Sequence, residues 1–111
     1  MTTLCKIVVL LDTSKTGEIG AGIRIDDDEI WKREHVSRQK AQRILPLLIE
    51  LLAYHQLRWV DISSIEIYPG PGSFTGLRVG FSVANALGFI LQIPVNGGHA
   101  EAHVSPKYAP D

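Results

Sequence analysis

An unbroken aliphatic run, Ile7-Val8-Val9-Leu10-Leu11, is the first ordered signal in the chain, closed by Asp12-Thr13-Ser14 and then Gly17. A run without polar alternation fits a central strand covered on both faces. The next two segments, Ala21 to Ile25 and Glu29 to Val36, mix apolar and charged positions on either side of Asp26-Asp27-Asp28. They predict an antiparallel meander that turns at the aspartates and runs out to a wet edge. From about Ser37 the period becomes helical, with Ala41, Ile44, Leu45, Leu48, Leu51 and Leu52 at helix-face spacing and Ser37 placed as the N-cap. Pro46 falls inside that pattern and is expected to kink or restart the helix, because it lacks a backbone donor. Ile62 to Tyr68 reads as a second interior strand, Pro69-Gly70-Pro71-Gly72 as a turn, Thr75 to Leu91 as a second helix, and Pro94-Val95-Asn96 as a short last strand. The order β-β-β-α-β-α-β predicts an α/β fold: a mixed five-stranded sheet with two main helices.

Composition narrows the class. With 111 residues, 45% of them apolar, the chain is long enough for one core and too apolar for a disordered segment. A net charge of -1 argues against a uniformly basic nucleic-acid binder. Cys5 stands alone, so no internal disulfide is expected, and Lys6 followed by a short apolar run does not read as a signal peptide. A cytoplasmic protein is expected. No charged residue occurs from Val79 through Ala100, yet the interspersed Gly80, Ser82, Asn85, Gly88, Gln92 and Pro94 favour a buried helix and strand over a membrane span.

The most specific stretch is the strand-to-helix junction Pro69-Gly70-Pro71-Gly72-Ser73-Phe74-Thr75-Gly76-Leu77-Arg78. A glycine-rich turn can bare backbone N–H groups at a helix N-terminus, where the dipole and the Ser73 and Thr75 hydroxyls favour an anion. The absence of a following lysine excludes a P-loop. The same glycines also serve a tight turn and close packing of the helix on the sheet, with Thr75 as a simple cap. Asp12, at the end of the central strand, is where ribonuclease H-like and actin-like folds, the type suggested by the element order, place a metal- or phosphate-facing carboxylate.

The word Gly-Pro-Gly-Ser-Phe-Thr-Gly-Leu-Arg resembles the signature of the bacterial TsaB (YeaZ) family, relatives of actin-like ATPases and glycoproteases that help make N6-threonylcarbamoyladenosine in tRNA. Asp12-Thr13-Ser14, Arg43-Ile44-Leu45-Pro46-Leu47-Leu48 and Gly88 to Asn96 resemble flanking family patterns in the same order. The resemblance implies an ASKHA-type lobe over residues 1–98, followed by a tail at 99–111. It implies a non-catalytic subunit that pairs, with itself or with the threonylcarbamoyl-transferring paralogue TsaD, through the two helices. The residues fit that implication: only Glu50 is charged between Ile44 and Tyr54, and the second helix carries no charge after Arg78. The expected interface is Leu47, Leu48, Leu51 and Tyr54 of the first helix with Arg78, Phe81, Ser82, Asn85 and Phe89 of the second. Phosphate or nucleotide contacts would fall on Asp12, Thr13, Gly70, Gly72, Ser73, Thr75 and Gly76. Two departures stand out. Family members run well beyond this length, with a second lobe that would supply half of a nucleotide cleft, and their usual His-Ser-Glu is Lys40-Ala41-Gln42 here.

His99-Ala100-Glu101-Ala102-His103 points towards the catalytic branch, because histidines at i and i+4 on a helical turn can share a divalent ion and TsaD proteins carry a similar stretch. Two ligands do not complete a site, and incidental histidines at a solvated helix start are the plainer reading. The isolated chain is expected to carry no cofactor, with ATP or ADP, zinc or iron entering only in a complex. The alternative to the scaffold is a minimal metal-dependent, TsaD-like enzyme or nucleotide-binding module completed by a partner. Lys32, Arg33, Arg38, Lys40 and Arg43 form a local basic cluster that could touch tRNA phosphates indirectly, although charge runs usually mark a solvated face.

Overall fold

The computed structural model describes residues 6–37 and 40–98. Strand β1 (Ile7–Asp12) pairs antiparallel with β2 (Glu18–Ile25), which pairs antiparallel with β3 (Asp28–His35). Helix α1 (Lys40–Tyr54) and a short 3-10 turn at Trp59–Asp61 lead to β4 (Ser64–Ile67), which runs parallel to β1 on its other side. Helix α2 (Phe74–Leu91) follows, and the sheet order is β3-β2-β1-β4.

Strand alternation divides the sheet into two different faces. Ile7, Val9 and Leu11 of β1, Ile19, Ala21 and Ile23 of β2, and Ile65 and Ile67 of β4 point to one side. There they form a single core with Ile44, Leu47, Leu48, Leu51 and Leu52 of α1 and Phe81 and Ala84 of α2. The intervening residues point the other way, where Val8 and Leu10 are still buried, at 1% and 3% exposure. Their cover comes from long charged side chains instead of a helix. Arg24 holds Glu66 through two hydrogen bonds of 2.9 and 3.0 Å and Glu29 through one of 3.2 Å, while the Arg33 guanidinium lies 5.1 Å from the Trp31 ring centre. The strand expected to be covered on both faces is therefore covered by two unlike layers.

Three features differ from the sequence expectation. The fifth strand is reduced to a bridge between Ile65 and Val95, since Pro94 has no N–H to offer and the backbone turns at Asn96 and Gly97, both with positive φ. The carboxamide of Asn96 takes over the pairing, accepting from Ile67 N at 2.8 Å and donating to Ile67 O at 2.9 Å. Helix α1 runs through Pro46 without restarting, and the N-cap expected at Ser37 adjoins residues 38–39, which lie outside the described residues. The interface expected on the helices is partly core: Leu47, Leu48, Leu51 and Phe81 are at most 5% exposed and offer nothing to a partner. Helix α2 is also long and apolar enough to cross a membrane, but Leu77, Gly80, Phe81, Ala84 and Gly88 are buried in the fold.

Candidate functional site

The Asp12-Thr13-Ser14 corner and the Gly70 to Gly76 turn, far apart in the chain, meet at the end of β1. Two hydrogen bonds tie them, and a third joins the residues just ahead of each. The buried Thr13 hydroxyl donates to the Gly76 carbonyl at 2.7 Å, Ser73 N donates to the Ser14 carbonyl at 2.8 Å, and Tyr68 N donates to the Leu11 carbonyl at 2.9 Å. Within each segment the polar groups are also committed. One Asp12 carboxylate oxygen accepts from Ser14 N at 3.0 Å and from the Ser14 hydroxyl at 2.6 Å, as an Asx-type corner does. The Ser73 hydroxyl accepts from Gly76 N at 3.2 Å and caps α2. The cap is thus Ser73, and Thr75 lies exposed in the first turn.

Glycine is needed here for proximity. A Cβ on Gly80 would collide with the Thr13 hydroxyl and come 2.8 Å from the Ile67 side chain, and one on Gly72 would come 2.8 Å from the Ser14 carbonyl. Gly70 holds φ +103, and its bond to Pro71 is cis. The glycine-rich word therefore works as a clamp that seats the start of α2 on the end of β1. Two of its donors, the Thr13 hydroxyl and the Ser73 N–H, already bond inside the chain and Asp12 adds negative charge, which weighs against a phosphate here. The second Asp12 oxygen lies 3.7 Å from Arg33, whose other carboxylate partner, Glu18, is at 3.2 Å.

The clamp borders a cleft of about 610 Å³ on the helix-free face of the sheet, lined by Asp12, Arg24, Trp31, Arg33, Glu66 and Tyr68 among others. Its charged side chains are paired with one another, the carboxylates of Asp12, Glu29 and Glu66 with the guanidiniums of Arg24 and Arg33. Hydrogen bonding to Arg24 holds the Glu66 carboxyl below the ordinary range and raises the guanidinium, and the Trp31 indole, followed by Arg24, does the same to Glu29. The basic cluster read from the sequence is likewise paired: Arg43 with Glu34 at 2.6 Å, Lys32 with Glu50 at 3.4 Å, Arg33 with Glu18. The Arg43 bond lowers Glu34. Arg38 and the side chain of Lys40 lie outside what is described. Among the described residues no three His, Cys, Asp or Glu side chains gather to hold a metal, and His99 and His103 lie outside them.

The outer surface of the helices is the other candidate site. Of the residues expected there, Tyr54 is 82% and Phe89 60% exposed, Arg78 and Ser82 are exposed, and Asn85 is half-buried. Ile49, within the apolar outer face expected from Leu47 to Tyr54, is exposed as well, and sequence reasoning missed Leu45, Phe74 and Ile90, also exposed apolar residues on the same helices. Leu45 was expected on the stripe facing the sheet, and periodicity alone does not say which of two apolar faces the sheet takes.

Comparison with known proteins defines the class. Residues 33–110 match the family model described as TsaD: tRNA N6-adenosine threonylcarbamoyltransferase, and the chain belongs to that family. It is similar to the tRNA threonylcarbamoyladenosine biosynthesis protein TsaB of Haemophilus influenzae, 34% identical over 88 residues that make up 79% of this chain and 37% of that protein. An uncharacterized protein of Mycobacterium tuberculosis is 38% identical over 93 residues, 81% of this chain and 44% of the relative. Among solved structures, YeaZ from Pseudomonas aeruginosa superposes with a TM-score of 0.75 at 31% identity, covering 81% of this chain and 42% of that one. The fold is thus that of the first lobe of TsaB-like proteins, and the chain spans less than half the length of these relatives.

Proposed function

We propose that this chain is a non-catalytic, TsaB-like subunit in the formation of N6-threonylcarbamoyladenosine in tRNA, acting in the cytoplasm by docking through α1 and α2 onto a TsaD-like chain or onto itself. The observation that carries the reading is the set of exposed apolar side chains on the two helices, Leu45, Ile49, Phe74, Phe89 and Ile90. One of them, Phe74, lines a surface depression between α1 and α2 together with Ala41, Arg78, Val79, Ser82 and Val83. A surface of this kind on a small domain marks an interaction site. The committed polar groups of the clamp support a scaffold role over a nucleotide enzyme. The isolated chain then binds neither ATP nor a metal ion tightly and has no turnover of its own.

The test is copurification from the native cell followed by measurement of the modified nucleoside in tRNA. Recovery of a TsaD-like chain, with loss of the nucleoside when this chain is deleted, is the expected result. Hydrolysis of ATP by the isolated chain that Asp12→Ala abolishes, or one tightly held metal per chain lost on His99→Ala or His103→Ala, would replace the scaffold with the enzyme reading.

A further inference from the structure

The free edge of the sheet is a surface that helix pairing does not use. Strand β3 is outermost, no described strand pairs with its outer side, and every one of its residues except Glu34 is exposed. Ile25 and Asp28 face each other across the two-residue turn Asp26-Asp27. In such a hairpin the closing pair turns its backbone groups towards each other, and alternation then decides the rest of the strand. Ile30, Lys32 and Glu34 turn their N–H and C=O groups to β2, whereas Glu29, Trp31 and Arg33 turn theirs outward. The Ile30 carbonyl obeys this rule, lying against Gly22 of β2.

An exposed row of outward groups is a template for another strand, and charged side chains on an edge restrict which strand it accepts. We propose that the accepted strand is β3 of a second copy of this chain, paired antiparallel about a two-fold axis through Trp31 and perpendicular to the sheet. The observation that selects this occupant is the order of charges. In that register Glu29 stands opposite Arg33 of the second copy, twice, and the two Trp31 residues face each other at the axis. All three positions carry outward backbone groups, so these pairs are the hydrogen-bonded ones. On the other face Ile30, 46% exposed, meets the aliphatic stem of Lys32. Asp28 meets Glu34 only at the ends of the ladder, where Glu34 is already held by Arg43. Centring the axis on Lys32 instead would set two lysines directly against each other, which is unfavourable.

The experiment uses the whole chain with Cys5→Ser as background. Adding Trp31→Cys should give a disulfide-linked dimer under mild oxidation, because the two cysteines would meet at the axis. In the otherwise native chain, Glu29→Pro removes an outward N–H, which an edge strand tolerates, together with the carboxylate that Arg24 and Trp31 hold, and should weaken self-association at least about tenfold, whereas Glu29→Gln, which keeps the N–H, should weaken it less; the far-ultraviolet circular dichroism should stay unchanged in both. Absence of the linked dimer, stronger trapping by Lys32→Cys than by Trp31→Cys, or unchanged association of a folded Glu29→Pro variant would each overturn the proposal. If Glu29→Pro fails to fold, the two cysteine variants decide between the same outcomes. Helix-face substitutions leave this dimer intact, so it stands or falls apart from the docking proposed for α1 and α2.

Discussion

Thr13 is the residue on which the junction turns. Its hydroxyl is fully buried and donates to the carbonyl of Gly76, and only the missing Cβ of Gly80 leaves it room. Replacing Thr13 with Val keeps the volume but removes this hydrogen bond, leaving the Gly76 carbonyl with its helical partner alone, which costs about 0.5–1.5 kcal/mol. Gly80→Ala forces the same contact apart by overpacking, at about 1–3 kcal/mol. Both losses should appear as lower urea midpoints with an unchanged m-value, and Gly80→Ala combined with Thr13→Ser should not recover stability, because the hydroxyl remains in the way. Thr75→Ala, at an exposed first-turn position that does not cap α2, should shift the midpoint by far less. The sequence names these residues without their roles. A glycine-rich word before a helix looks the same whether its N–H groups await an anion or are spent on the neighbouring corner, and the choice depends on Ser14 and Thr13, some sixty positions away in the chain.

Strands and helices were legible wherever one period ruled. The aliphatic run of β1, the aspartate turn between β2 and β3, and most of the apolar stripe of α1 follow from side-chain alternation and helical spacing, although Ala41 and Leu45 of that stripe are exposed and Leu47 is core instead. The last strand was not legible as a bridge, since Pro-Val-Asn looks extended and only the structure shows the Asn96 side chain substituting for a backbone rung. The polar face of the sheet was equally hidden. Arg24, Glu29 and Glu66 come from three strands, and Glu66 reads in isolation as a charge in a buried strand. Their pairing makes a prediction about pH. The Glu29, Glu34 and Glu66 carboxyls are held below their ordinary value by hydrogen bonds to Trp31, Arg43 and Arg24, respectively. A depressed folded-state pKa contributes stability that is complete above the unfolded value, about 4.3 for Glu, and lost as pH falls through the lower folded value. Thermal melts of the native chain should therefore fall in acid below about pH 4. Glu66→Gln should melt lower than the native chain at neutral pH, and the gap should narrow as acid protonates the native carboxyl. Because Glu29 and Glu66 are solvent-exposed and Glu34 is only half-buried, the effect should be small.

At the scale of the whole molecule, two helices on one face of a four-stranded sheet leave an apolar surface that the chain does not cover with its own described residues. The same helix sequence thus carries two messages: Leu47, Leu48, Leu51 and Phe81 build the core, and Leu45, Ile49, Phe89 and Ile90 remain outside. A single substitution at each kind of position separates folding from docking. Leu48→Glu, at a site 1% exposed, buries an unpaired charge and should abolish cooperative unfolding. Ile49→Glu and Phe89→Glu, at sites 52% and 60% exposed, should leave the melting temperature within a few degrees of the native value. If the helices are the docking surface, each of these two should lower capture of a TsaD-like chain by at least about tenfold, the effect of about 1.4 kcal/mol of lost binding. The modified nucleoside should fall with it in cells that depend on this chain. Full retention of partner and nucleoside by a folded Ile49→Glu, Phe89→Glu double variant would move the interface off the helices.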